Sequence, residues 1–217
     1  MSSEKDSAGA AQFGLAARVE SLRQALEQVP PELLAERTGT RYQPLGLGRG
    51  EFHLGLFDAA VLVTYPGLEG IDSSDDSLPL PTQAVLAYYF HTSDGTSLTG
   101  EWVSFADLPD GRTYNQAFQG YSGDVLVKVF GRDLNAFRAA CEKCGGMEAY
   151  LGDASFLFYA LPRMPLQITF WCGDEEFSSN CKILFDRAAP HYLPTDVCAI
   201  VGSMLTRCLV RAGGARI

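Results

Sequence analysis

Apolar residues recur along this chain at two periods, and the change from one to the other marks out its elements. Leu15, Val19, Leu22 and Leu26 keep helical spacing, which predicts an amphipathic helix over about 15–29. Pro30-Pro31 ends it, and Pro31 can open a short helix that Gly39 stops. Between 51 and 65, "EFHLGLF" and "AAVLVTY" read as two strands joined tightly at Asp58, with Phe52, Leu54 and Leu56 on one face and His53 on the other. The acidic, proline-bearing stretch 67–81 is a surface loop, after which Thr82 caps the short helix "QAVLAYYFH". "EWVSF" at 101–105 is a strand and "LPDGR" a turn. "TYNQAFQGYSGDVLVKVFG" predicts a short helix, a glycine–serine break and a helix restarted at Asp124. Asp133 caps the next helix and Gly145-Gly146 ends it.

The last third changes period again. "SFLFYALP", "LQITFW" and "CKILFD" are three consecutive strands, and Leu166, Ile168 and Phe170 alternate with Gln167, Thr169 and Trp171. Their connections are too short for helical crossovers, so an antiparallel meander is expected. A final helix starts at Thr195 with Val197, Ile200, Val201, Met204, Leu205, Cys208 and Leu209 on one stripe. There is no internal repeat. The pattern predicts a tail over 1–14 and one α+β domain over 15–217. Its antiparallel sheet comprises the C-terminal three-strand meander and an N-terminal hairpin, with helices packed mainly on one face.

Composition narrows the function classes. With 217 residues, 47% of them hydrophobic, the chain is long enough for one substantial core or two small ones. Its 26 acidic against 17 basic residues give a formal charge of −9, which argues against nucleic-acid binding and against attraction to an anionic membrane. No window approaches the ~20 apolar residues of a spanning helix. "MSSEKDSAGAAQFG" has no apolar core of leader type. A cytoplasmic chain with six reduced cysteines is expected.

Several residues invite a chemical reading. "GLGRG" at 46–50 suggests a phosphate loop, but such glycines follow a strand and open a helix, whereas here a strand follows; a flexible turn fits better. "CEKC" at 141–144 has the spacing of a zinc or redox pair. Yet Leu134, Phe137, Cys141 and Cys144 form one helical stripe, which suits core thiols better. Cys172 and Cys181 flank the loop "GDEEFSSN", and a hairpin could bring them together. Asp174, Glu175 and Glu176 sit at its tip, where acid–base work would need two environments that separate their pKa values. His53 and His91 have ordinary places on a strand face and at a helix end.

His191 stands apart, in a segment stiffened by Pro190 and Pro194 and next to Tyr192, just before a helix. It is either a metal ligand or general base, or a turn residue bonded to Asp186 or a backbone carbonyl. In "YNQAFQGYSGD", Asn115 and Gln119 fall at i and i+4 and form an amide face, with Tyr114, Tyr121 and Ser122 adding hydroxyls. No nucleophile–base pair is visible there, and such surfaces bind more often than they catalyse.

Three motifs in order, "TGEWVSFADLPDGRTYNQAFQGYSGD", "FWCGDEEF" and "KILFDRAAPHYLPTD", resemble domain of unknown function 3786, a family of anaerobic bacteria and archaea. The resemblance runs from about residue 40 to 209. Some members of that family carry a four-cysteine iron–sulfur segment similar to that of corrinoid iron–sulfur proteins; no cysteine precedes Cys141 here, so no such cluster is expected. The resemblance implies a small-molecule-binding or accessory protein for a corrinoid (cobalamin) or haem, with a corrinoid or iron–sulfur protein as a possible partner. His191 would be the axial metal ligand. Tyr192, Tyr114, Asn115, Gln119, Tyr121 and Asp186 would line the cofactor site. The alternatives are a hydrolase or transferase using Asp174, Glu175 and His191 as acid–base groups, and a non-catalytic interaction subunit.

Overall fold

A computed structural model describes residues 2–215, with side chains from residue 13 onward. The chain forms two compact units: residues up to 54, 60–96 and 191–193 in the first, and 55–59, 97–190 and 194 onward in the second. Both belong to the α+β class, each with its own antiparallel sheet.

The elements of the first part are α1 (Ser2–Leu26), α2 (Pro31–Thr38), β1 (Arg41–Gly46), β2 (Arg49–Leu56), β3 (Ala59–Tyr65), β4 (Gly70–Ile71) and α3 (Leu80–Thr92). Helix α1 begins inside the stretch read as a tail. Its Val19 and Leu22 pack with Ala84 and Ala87 of α3 in one buried cluster. Arg23 reaches the buried Gln83 at 2.6 Å, and Gln83 bonds both the N–H and the C=O of Gly70, so one amide ties α3 to β4. Gly39 caps α2 in the left-handed region as expected. Helix α3 starts two residues before Thr82, with Pro79 at its N-cap and Pro81 in its first turn, where a missing N–H costs nothing.

The sheet of this part runs β1-β2-β3-β4. Strand β1 was not expected, because "RYQPLG" carries a proline and no apolar alternation. It pairs with β2 through the turn at Gly46, Leu47 and Gly48, all at positive φ, so "GLGRG" is a hairpin turn and no phosphate loop.

The second part continues with β5 (Trp102–Ser104), α4 (Gly111–Tyr121), α5 (Gly123–Phe130), α6 (Leu134–Lys143), β6 (Met147–Ala149), β7 (Ala154–Leu161), β8 (Met164–Trp171), β9 (Asn180–Asp186) and α7 (Thr195–Ala212). Its sheet has the order β5-β9-β8-β7-β6, and β7-β8-β9 is the expected meander. The alternation in β8 predicts one wet face, but both faces are buried. Gln167 donates to Ser155 Oγ at 3.0 Å, and Ser155 Oγ donates to the Ile168 carbonyl at 2.9 Å, so the polar face satisfies itself. Helix α7 packs against α4, α5 and α6. Gly202 lets the Phe118 ring sit directly on its backbone. Of the expected stripe, Val197, Val201, Leu205 and Leu209 are buried, while Ile200 and Met204 are only half-buried.

The cysteines depart from the reduced-thiol expectation at one pair. Cys144, the C-cap of α6, is bonded to Cys208 of α7, while Cys141, Cys172, Cys181 and Cys198 remain thiols. The partners are 64 positions apart, so spacing within "CEKC" could not reveal them. Cys141 packs in the core as its stripe implies, and burial pushes its thiol pKa up. Cys172 and Cys181 are not paired, because Cys181 stands across from Phe170, one step inside the strand, while Cys172 lies beyond the last pair, Trp171 with Asn180. Among the described residues, no helix is long and apolar enough to cross a membrane.

Candidate functional site

The amide face of α4 lines a cavity. Asn115, Phe118 and Gln119 of α4, Asp124 of α5, Asn180, Lys182 and Ile183 of β9, and the chain at 104–106 surround about 420 Å³. The pairing of β5 with β9 stops at Ser104 opposite Leu184. Three residues nearer the start of β9, Gln119 Nε2 donates to the Cys181 carbonyl at 2.7 Å. Between these two points the outer edge of β9 has no strand beside it, and the cavity occupies that notch. Its apolar floor is Phe105 stacked on Phe118, centroids 4.2 Å apart. Ser104 Oγ donates to Asp107 at 2.6 Å and is therefore engaged. Asn115, Asn180 and Lys182 have side chains with no hydrogen-bond or ion-pair partner among the described residues.

The break between α4 and α5 places these groups. Ser122 has φ −119° and ψ −92°, outside the helical region, and its hydroxyl bonds back to the Phe118 carbonyl. Gly123 then lies so close to β9 that a Cβ would collide with the Cys181 carbonyl and the Gln119 amide. Gly123→Ala is expected to push α5 away from β9, break the Gln119–Cys181 bond and cost about 1–3 kcal/mol. Urea denaturation checks it, and an unchanged midpoint would mean that α5 has room to shift.

The other candidate residues occupy different settings. His191 ends a 3-10 turn; its Nδ1 lies 2.7 Å from Asp94 and 3.2 Å from Thr96 Oγ1, and the side chains of His191 and Asp94 are about half exposed, at 48% and 51%. Bonds from Thr96 first, and then from His191, hold the Asp94 carboxyl down at about 2. The nitrogen Nε2 of His191 has no partner among the described residues. Tyr192 is buried; its hydroxyl donates to the Thr96 carbonyl and its ring packs 6.2 Å from that of Tyr89. His191 therefore bonds Asp94 and Thr96, where the sequence suggested Asp186 or a backbone carbonyl.

Asp186 is 1% exposed, and its carboxylate accepts from Thr99 N, Thr99 Oγ1, Gly100 N and Ala188 N at 2.7–3.1 Å. Burial raises its pKa, but these bonds outweigh burial and hold it below the ordinary value. Tyr114 is half exposed on α4, 6.4 Å from the Tyr121 ring. Burial, followed by the charge and hydrogen bond of Tyr114, pushes Tyr121 up to about 12. At the β8–β9 hairpin tip, Asp174 accepts from the N–H groups of Phe177 and Glu176 at 2.7 and 2.8 Å. Those bonds lower its pKa, so this carboxylate caps its own loop in the ionised form, and Glu175 is exposed beside it.

The structure thus joins Asn115 and Gln119 in one cavity and adds Asp124, Asn180 and Lys182, which sequence reasoning did not single out as site residues. The signal for the last two was the alternation Asn180, Cys181, Lys182, Ile183, which puts both polar side chains on one strand face.

These features define an α+β protein with a half-open polar cavity at a sheet edge. The family model described as "Domain of unknown function (DUF3786)" matches residues 30–208, and the chain belongs to that family. No curated protein and no solved structure matches it.

Proposed function

We propose that this protein binds a small molecule in the α4–α5–β9 cavity and serves as a binding or accessory protein. The observation that carries the reading is the set of polar side chains, Asn115, Asn180 and Lys182, that border one cavity without partners among the described residues. Asn115 is half-buried, and Asn180 and Lys182 are exposed at the rim. A few convergent polar groups over an apolar floor are the usual makings of a ligand site, and about 420 Å³ falls in the range of such sites. Titration of isotope-labelled protein with a fragment library tests it. Shifts are expected at the side-chain amides of Asn115 and Gln119, and shifts confined to other surfaces would defeat the reading.

A second reading, a corrinoid or haem held through His191, has one observation in its favour. Asp94 fixes Nδ1 of His191 and leaves Nε2 available, the arrangement in which a carboxylate orients a metal-ligating imidazole. Among the described residues there is no group of three or more His, Cys, Asp or Glu that could hold a metal ion, and this reading asks for one protein ligand alone, His191 at the axial position of a metal held in a ring. Hydroxocobalamin and haemin titrations followed by absorbance are expected to give a spectral change that His191→Ala removes. The same variant should change stability by less than about 1 kcal/mol, as for an exposed ion pair. Absence of any spectral change with both compounds would end this reading.

A further inference from the structure

We infer that the α4–α5–β9 cavity takes a zwitterion, a free α-amino acid held by its two opposite charges; this rests on the cavity being a binding site. One carboxylate, Asp124, and one ammonium, Lys182, line the same cavity, yet they form no ion pair with each other. Asp124 accepts only from Gln119 Nε2, at 3.3 Å, and Lys182 has no partner among the described residues. Two opposite charges that do not neutralise one another attract a ligand carrying both in the complementary order. A simple anion would meet Asp124 and a chain of net charge −9, and a simple cation would meet Lys182. The amides of Asn115 and Asn180 can each donate and accept, which suits the remaining oxygen and N–H groups of an amino acid. On the unpaired edge of β9, Ile183 turns its main-chain groups to the same head, while those of Lys182 face Thr169 of β8. Phe118 and Ile183 contribute apolar surface to the same cavity.

The test is calorimetric and NMR titration of the full chain with each proteinogenic L-amino acid. The best binder is then compared with its decarboxylated amine and its deaminated acid. At least one amino acid is expected to bind and shift the Asn115 and Gln119 amides, with each analogue about tenfold or more weaker, the loss of one charge-assisted bond. Asp124→Asn should erase the discrimination against the deaminated acid, and Lys182→Met that against the amine. Both side chains are exposed, so unchanged thermal midpoints verify that the variants fold. Analogues that bind as well as the amino acid overturn the inference. So does the failure of every amino acid while fragments still shift those amides, which leaves the binding site standing. Failure of fragments as well removes both.

Discussion

Asp186→Ala is expected to lower the unfolding free energy by about 3–5 kcal/mol at neutral pH, because a buried carboxylate with four donors is removed and the donors stay behind. Thr99, Gly100 and Ala188 would keep N–H groups aimed at an emptied site. The carboxylate fixes the chain entering β5 and the turn leaving β9, so the effect should be global to that sheet edge. The pH dependence follows from the sign of the shift. The folded pKa of Asp186 is depressed, so its contribution is complete above the unfolded value near 4 and is lost as pH falls through the folded value. The gap between wild type and variant should accordingly narrow below about pH 4. Urea denaturation at several pH values measures it, and a variant within about 1 kcal/mol of wild type at pH 7 would refute this account.

Removing the Cys144–Cys208 bond is expected to cost nearly as much. The closed loop spans 64 positions, and chain-entropy reasoning gives roughly 4 kcal/mol for a loop of that length. The bond joins the end of α6 to α7, two helices already packed together, so the native state should keep its contacts when the sulfurs are reduced. Denaturation with and without dithiothreitol, together with the Cys144→Ser/Cys208→Ser double variant, separates the bond from other thiol chemistry. A reductant-insensitive midpoint in the wild type would mean that the bond does not limit the unfolded chain. Cys141 and Cys198, both buried with raised pKa values, should resist alkylation in the folded state.

The periodic part of the fold was legible because burial imposes it locally. The helix stop at Gly39 and the Asp133 cap rest on residues within a turn of each other, the meander rests on apolar strands joined by short connections, and the structure has all three. Strand β1 and the early start of α3 were missed for the converse reason: "RYQPLG" and "LPTQ" take their conformation from pairing and from proline geometry rather than from hydrophobic period. The amide face of Asn115 and Gln119 was visible as an i, i+4 pair. That Gln119 would spend its amide on the Cys181 carbonyl, while Asn115 stayed open, depends on a strand 62 positions away.

The sequence by itself determined the α+β class, the meander, the acidic surface and the proline-stiffened setting of His191, since each follows from local pattern, charge or composition. Only the tertiary structure decided that His191 meets Asp94 across 97 positions, that Asp186 serves the backbone of residues 99–100, that Cys144 finds Cys208, and that Asp124, Asn180 and Lys182 share one cavity. Hydrogen bonds, disulfides and cavities are contacts a few ångströms long between residues far apart in the chain. Periodicity reports which way a side chain faces, and packing alone reports what it faces.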